Sequence, residues 1–469
     1  MTEIWQWGAV KTAKAIREKK ISAREAVEAS LSRMAEVNAS VNAVTADLSD
    51  KARIAADQAD AILAAGGTPG LLHGVPVTIK ENIDQIGEST PNGIPALNDV
   101  IADADSPVVS NLKKAGAIII GRTNTPEFSL RWFTDNPLRG KTLNPWNRDV
   151  TPGGSSGGAA ASVALGIGTM AHGNDLGGSL RYPAYACGVA TIRPSLGRIA
   201  AYNPMGTDER PPMLQLMSVQ GPIAREVKDV RLTLEVMAEY DPRDPWQTPA
   251  PIDGPRLEAP IRVALTKEPA GVPCHPTVAS AINKAGHILE GAGYEVELVN
   301  PPLVTEIAET WRALLMTDTR VMNEDVMRKL GSDNFQKVLD GYFAATNTRD
   351  LKGYLQMFAG RTRLLRAWSE FMADYPLVVA PVSQVPAFAQ DEDLKGEARI
   401  RTMLDDQSML YAVNLLGLPS AAVPTGLVDG LPSGVQIIGR RFREDTCLDA
   451  AQAIENSVGV LAKELWARA

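Results

Sequence analysis

Along the chain the apolar residues change period from one stretch to the next, and the changes mark out elements. Val27, Leu31, Met34 and Val37 recur at helical spacing behind Ser22 and Glu25, which are placed as a capping box, so a helix with one buried face is predicted there. A second, alanine-rich helix is predicted from about residue 51 to residue 65, ended by Gly66 and Gly67. The stretch 74–80 then switches to period two. Val75, Val77 and Ile79 fall on one side, Thr78 and Lys80 on the other, the pattern of a strand that delivers a lysine. Short runs rich in β-branched residues at 117–120 and 376–379 read as buried strands. Residues 277–289 read as a helix that ends near Gly291 and Gly293, with a strand at 294–298 behind it. The alternation predicts an α/β layered fold. Proline and glycine cluster between Asp241 and Pro260, which reads as an excursion or linker.

Composition adds limits. The 469 residues are 45% hydrophobic and 22% charged, an ordinary globular balance that excludes disordered and fibrous classes. Length alone predicts roughly two or three domains. A formal charge of −8 argues against a general phosphate-binding surface, so no nucleic-acid partner is expected. Cys187, Cys274 and Cys447 are far apart and form no CxxC pair, which points to neither a disulfide framework nor a zinc site, and to the cytoplasm as compartment. The first twenty residues lack the order of a signal peptide. The longest weakly polar run, Gly157 to Met170, falls short of the roughly 20 apolar residues of a membrane span, so no membrane is expected.

Chemistry concentrates at Lys80, at GGSSGG from Gly153 to Gly158, at GNDLGGSLR from Gly173 to Arg181, and at GVQIIG from Gly434 to Gly439. The middle two combine packed glycines with serines, a composition that lets several backbone N–H groups point at one place and bind an oxyanion. A flexible loop is the ordinary reading of one such cluster, and a second cluster so close weakens it. A phosphate loop needs Gly-Lys-Ser/Thr, which neither has. Gly166 to Ala171 fits GxGxxA on paper, but helical residues precede it where a dinucleotide site needs a strand. Gly153 to Gly157 also fits GxSxG, whose hydrolases carry a late histidine; the last of the four histidines here, His287, leaves more than a third of the chain behind it. An activated serine here therefore needs a base other than a histidine.

The order of motifs resembles the amidase signature hydrolases. The blocks are HGVPVTIKEN from His73, TNTPEF from Thr123, TPGGSSGG from Thr151, DLGGSLR from Asp175, GPIAR from Gly221, and GLP from Gly417 followed by QIIGR from Gln436. The resemblance implies one compact α/β domain over 1–469 with a central mixed sheet wrapped in helices, which overrides the length expectation. It divides into N-terminal helices to about 65, a catalytic core at about 70–240, a variable substrate-cleft region at about 250–375, and a C-terminal core at 376–469. Lys80 matches the catalytic lysine, Ser155 the bridging serine after a cis peptide bond, and Ser179 the nucleophile, with Ser156 a neighbour and not the relay. Backbone N–H groups of Leu176, Gly177, Gly178 and Ser179 are the implied oxyanion cradle. Asp175, Arg181 and Asn174 are expected in support, the first two as a pair bracing the turn. Trp132, Phe133, Thr134 and Gly154 are expected near the substrate, core packing being the alternative for the two rings.

Two residues depart from the pattern: Asn174 stands where Ser or Thr is common, and Arg193 where Lys is usual. For a lysine to act as base its ammonium has to be destabilised by burial, so Glu81 and Asp84 are expected to point away from it. The implied activity is amide or carbamate hydrolysis through an acyl-enzyme on a small-molecule substrate, without metal or cofactor, and a homodimer is compatible with it. Two other readings stand beside it: a glutamine-hydrolysing component of an amidotransferase, and a non-catalytic binding protein on the same fold. Residues 301–375 are expected to form much of the cleft wall.

Overall fold

The computed structural model describes residues 3–468; residues 1, 2 and 469, the outermost ends of the domain expected over 1–469, lie outside them. Within these residues a single mixed sheet is built from β1 (Val44–Asp47), β2 (Pro76–Lys80), β3 (Ile118–Thr123), β4 (Met170–Asp175), β5 (Ala190–Arg193), β6 (Val219–Ala224), β7 (Arg262–Leu265), β8 (Glu295–Leu298), β9 (Leu377–Pro381), β10 (Ser420–Val428) and β11 (Leu431–Gly439). The order across it is β1-β3-β2-β4-β6-β5-β10-β11-β9-β7-β8. β2 runs parallel to β3 and β4, and β7 parallel to β8 and β9. The other pairings are antiparallel.

Alternation along the strands explains why one sheet organises so long a chain. Leu377 and Val379 of β9 and Val435 and Ile437 of β11 enter one core. Val378, Ala380 and Ile438, interleaved with them, enter another. Successive side chains point to opposite faces, so helices must cover both. A cut between any two central strands would open both cores, at about 1.5–3 kcal/mol for each large aliphatic side chain exposed. The length expectation of several domains fails for that reason.

Local patterns locate most elements. The helix Ala23–Val37 starts at the expected capping box, with Glu25 N–H donating to Ser22 Oγ at 3.0 Å and Ser22 N–H donating to the Glu25 carboxylate at 2.7 Å. The alanine-rich helix begins at Ser49, two residues earlier than expected, because Asp47 accepts the Ser49 N–H at 2.8 Å. β3 extends beyond residue 120 because Gly121 to Thr123 pair with β1 on one side and β2 on the other. The helix Pro276–Gly291 and β8 form the expected αβ unit. The GxGxxA match follows the helix Gly157–Leu165 and leads into β4, so no strand precedes it and the dinucleotide reading falls.

The proline-rich stretch after Asp241 is irregular but no hinge between domains: Thr248 N–H reaches Gly197 O at 2.8 Å and Ala201 N–H reaches Asp244 at 2.7 Å. The region 250–375 is of two kinds. β7 and β8 sit at the sheet edge, with Val263 and Leu265 in its core. The helices Val304–Asp318 and Asp333–Ala344 carry residues that face the site described next.

Candidate active site

Lys80 ends β2, between β3 and β4. Val77 and Ile79 are spent on the core, which sends Lys80 to the other face, where it has no solvent exposure. Its Nζ lies 2.7 Å from Ser155 Oγ, 3.2 Å from Ser156 Oγ and 2.7 Å from Asn174 Oδ1. Among the described residues no carboxylate forms an ion pair with it. Glu81 turns to Arg139 and Thr45, each at 3.2 Å, and Asp84 accepts the Met205 N–H at 2.8 Å. Burial pushes the Lys80 amine well below the usual lysine range, and the more distant charge of Asp175 opposes this without overcoming it. Asn174, the departure from the family pattern, therefore gives the amine a neutral acceptor. Ser156, expected only as a neighbour, also touches it.

The loop bearing Ser155 is held from below. The Gly154–Ser155 peptide is cis. Thr151 Oγ1 donates to Trp132 O at 3.0 Å and accepts the Gly153 N–H at 3.1 Å. Thr134 Oγ1 donates to Gly153 O at 2.9 Å and accepts the Gly157 N–H at 3.2 Å. Thr134 thus braces the loop and does not line the apolar cavity beside Ser179. Gly154 lies against the backbone of residues 131–133. Phe133 is stacked on Phe388 in the core, ring centres 6.3 Å apart. Of the four residues expected near the substrate, the cavity is lined by Trp132 alone.

Ser179 sits on the turn from β4 into the helix Arg181–Cys187. Gly178 takes φ +102°, and a β-carbon there would lie 2.4 Å from the Leu410 side chain, so the turn needs glycine. Asp175 organises the turn. Its carboxylate accepts the N–H groups of Gly178 at 2.8 Å and Leu180 at 3.2 Å, and pairs with Arg181 at 3.1 Å. Burial would raise this carboxyl, but Arg181, Arg193 and Asn414 outweigh that and hold it well below the usual carboxylate range. Arg181 is further bound by Asn414 at 2.6 Å, Gln436 at 2.8 Å and Leu410 O at 3.1 Å. Of the four N–H groups expected in the cradle, that of Gly178 is committed to Asp175. Among the described residues the N–H groups of Leu176, Gly177 and Ser179 have no protein acceptor.

The Ser179 hydroxyl likewise forms no hydrogen bond among the described residues, and Ser155 does not bond to it directly. Both serines open onto one polar cavity of about 1840 Å³, its mouth included, shared with Asn174, Tyr202 and Asn203. On its other side Ser179 faces an apolar cavity of about 510 Å³ by the same measure, walled by Trp132, Trp311, Leu176, Leu315, Met316 and Tyr342. Trp311 is stacked on Tyr411 with ring centres 4.1 Å apart. Two guanidiniums at this wall are already paired, Arg131 with Asp393 at 2.7 Å and Arg312 with Asp405 at 2.8 Å. Trp311, Tyr342 and Arg312 were not singled out from the sequence, but they fall within the stretch 301–375 expected to form much of the cleft wall.

The chain matches the Amidase family over residues 25–448. It belongs to that family. This amidase is 53% identical over 464 residues to an indoleacetamide hydrolase of Bradyrhizobium diazoefficiens, covering 99% of this chain and 88% of the relative. It is 32% identical over 470 residues to a component of the glutamyl-tRNA(Gln) amidotransferase of Moorella thermoacetica, covering 94% of each. Among solved structures, a bacterial aryl acylamidase of the amidase signature family superposes with a TM-score of 0.83 at 27% identity, covering 99% of this chain and 98% of the other. The protein is thus an amide hydrolase of the amidase signature type, and the mixed sheet with surrounding helices is that family's fold. Among the described residues of the amidase no helix is long and apolar enough to cross a membrane, and no three His, Cys, Asp or Glu side chains converge as metal ligands.

Proposed function

We propose that the enzyme hydrolyses a primary arylacetamide, indole-3-acetamide being the reference substrate, through an acyl-enzyme on Ser179. One observation carries the reading: Ser179 stands between an uncharged relay, Lys80 with Ser155, and a cavity walled by two tryptophans that suits a flat aromatic acyl group. The 53% identity to an indoleacetamide hydrolase supports the choice of aryl group.

Lys80 Nζ is within hydrogen-bond reach of Asn174 Oδ1, Ser156 Oγ and Ser155 Oγ. In the neutral amine two hydrogens serve the first two, which leaves the lone pair to accept the Ser155 hydroxyl hydrogen. As Ser179 Oγ attacks the amide carbon, its proton passes to Ser155 and that of Ser155 to Lys80. Rotation of the free Ser179 hydroxyl closes the remaining link, in keeping with catalytic hydrogen bonds that tighten only with substrate in place. The carbonyl oxygen becomes negative and is met by the N–H groups of Gly177 and Ser179. One such donor is worth about 3 kcal/mol of barrier. On collapse the C–N bond breaks, the nitrogen takes a proton back through Ser155, and ammonia leaves. Water then attacks the ester, loses its proton along the same path, and frees the arylacetic acid and Ser179.

Glutamine fits less well. Its ammonium and carboxylate need charged partners; the guanidiniums at the apolar wall are committed to Asp393 and Asp405, and the charged Asp208, Glu209 and Arg210 line only the polar cavity on the other side of Ser179. The test is purified protein with indole-3-acetamide, phenylacetamide or glutamine, reading ammonia release and the mass of the intermediate. Turnover of both arylacetamides, with the acyl mass on the peptide holding Ser179 and none in Ser179→Ala, is expected. Turnover of glutamine alone, and only with added partner proteins, would overturn the proposal.

A further inference from the structure

We infer that Trp311 is a positioning residue for the oxyanion cradle, acting through the Leu176–Gly177 peptide; the inference rests on the proposed acylation of Ser179. A trans peptide points its C=O and N–H in opposite directions, so whatever holds the oxygen aims the hydrogen. Each peptide of the nucleophile turn is held in this way. The Gly178 carbonyl accepts the Tyr182 N–H at 2.8 Å, in the first turn of the following helix, which aims the Ser179 N–H. The Leu176 carbonyl accepts the indole Nε1–H of Trp311 at 3.1 Å, which aims the Gly177 N–H. Between them, the Gly177 carbonyl accepts the Trp132 indole at 3.3 Å, and the N–H of that peptide is already spent on Asp175.

Of the three donors left free, Leu176 has its peptide held by the Asn414 amide, which donates to the Asp175 carbonyl at 3.2 Å, while Gly177 and Ser179 have unlike supports. The Ser179 N–H is fixed by backbone that any sequence with this helix provides. The Gly177 N–H depends on a single side chain, contributed from a helix on the far wall of the apolar cavity. The indole also packs on the Gly177 α-carbon: a β-carbon there would lie 2.8 Å from Trp311 Cζ2. Stacking on Tyr411 holds the indole in turn. Without the Nε1–H the Leu176–Gly177 peptide is free to rotate, and the donor points away just when charge develops on the substrate oxygen.

Trp311→Phe keeps an aromatic ring against Tyr411 and loses the donor. With indole-3-acetamide we expect kcat to fall about ten- to a hundredfold with KM changed less than threefold, since the lost contact matters only once the oxyanion forms. Affinity for the trifluoromethyl ketone analogue, which forms a tetrahedral adduct, should fall in parallel, and affinity for the acid product should not. Trp132→Phe should lower kcat less, because Asp175 still holds its peptide. Benzothienylalanine at 311, with sulfur in place of N–H, preserves ring size and repeats the test should the phenylalanine variant fold poorly. Unchanged kcat in that variant, or a loss confined to KM, overturns the inference while Ser179 acylation in the wild type stands. Acylation of a different residue in the wild type overturns both.

Discussion

Lys80 and Arg181 are both basic, both without solvent exposure, and both subject to the charge of Asp175. They are given opposite surroundings. Arg181 touches the Asp175 carboxylate directly and adds three further oxygen acceptors. Lys80 touches two hydroxyls and an amide oxygen, with no carboxylate in contact among the described residues. A guanidinium does not deprotonate in a protein, so it needs a counter-charge and becomes a brace. An amine can shed its proton when burial costs more than its neighbours return, and it becomes a base. Depth of burial is the same in both places; the touching carboxylate separates the brace from the amine proposed as base.

The comparison breaks most sharply at Lys80 itself. Lys80→Arg keeps a basic side chain but puts a fixed charge in place of the neutral amine and gives up its lone pair, so it should lose as much activity as Lys80→Ala, roughly 10²- to 10⁴-fold in kcat on an arylacetamide. An arginine variant near wild-type rates would remove the lysine base. On the other side, Arg181→Met removes the nearest counter-charge of the buried Asp175 carboxylate and leaves only Arg193 at 4.0 Å. Denaturant unfolding should show a loss of about 3–5 kcal/mol, and a variant as stable as the wild type would mean that the pair is not what braces the turn.

Asn174 sharpens the comparison by a smaller step. Asn174→Asp gives Lys80 the carboxylate contact that only Arg181 has. An adjacent opposite charge raises an amine's pKa by about 1–3 units, and activity is lost as pH falls through that value, so the acid limb of kcat/KM should move to higher pH by that amount. Asn174→Ser leaves a neutral acceptor and should leave the limb in place. A pH profile in which Asp and Ser variants coincide would show that the charge of this neighbour does not govern the base.

The sequence by itself determined the chemistry that is local. The period-two run before Lys80 identifies a strand ending on a lysine, and Gly177 and Gly178 ahead of Ser179 mark a turn that side chains would block. These signals survive in one dimension because they arise from residues next to each other. Adjacent residues in irregular backbone carry no such signal. Trp132 lines the cavity, Phe133 enters the core and Thr134 braces the Ser155 loop, and no spacing rule separates the three. Partners distant along the chain were decided only by folding. Asn414 and Gln436 reach Arg181 from beyond residue 400, and Trp311 reaches the Leu176 carbonyl across 135 positions. The order of β4, β6, β5, β10 and β11 in the sheet brings β4 and the C-terminal strands together, and the helices above them set which carbonyl an indole meets. The commitment of the Gly178 N–H to Asp175 also emerged only there, because one turn can present four donors in sequence while its geometry spends one of them on a carboxylate.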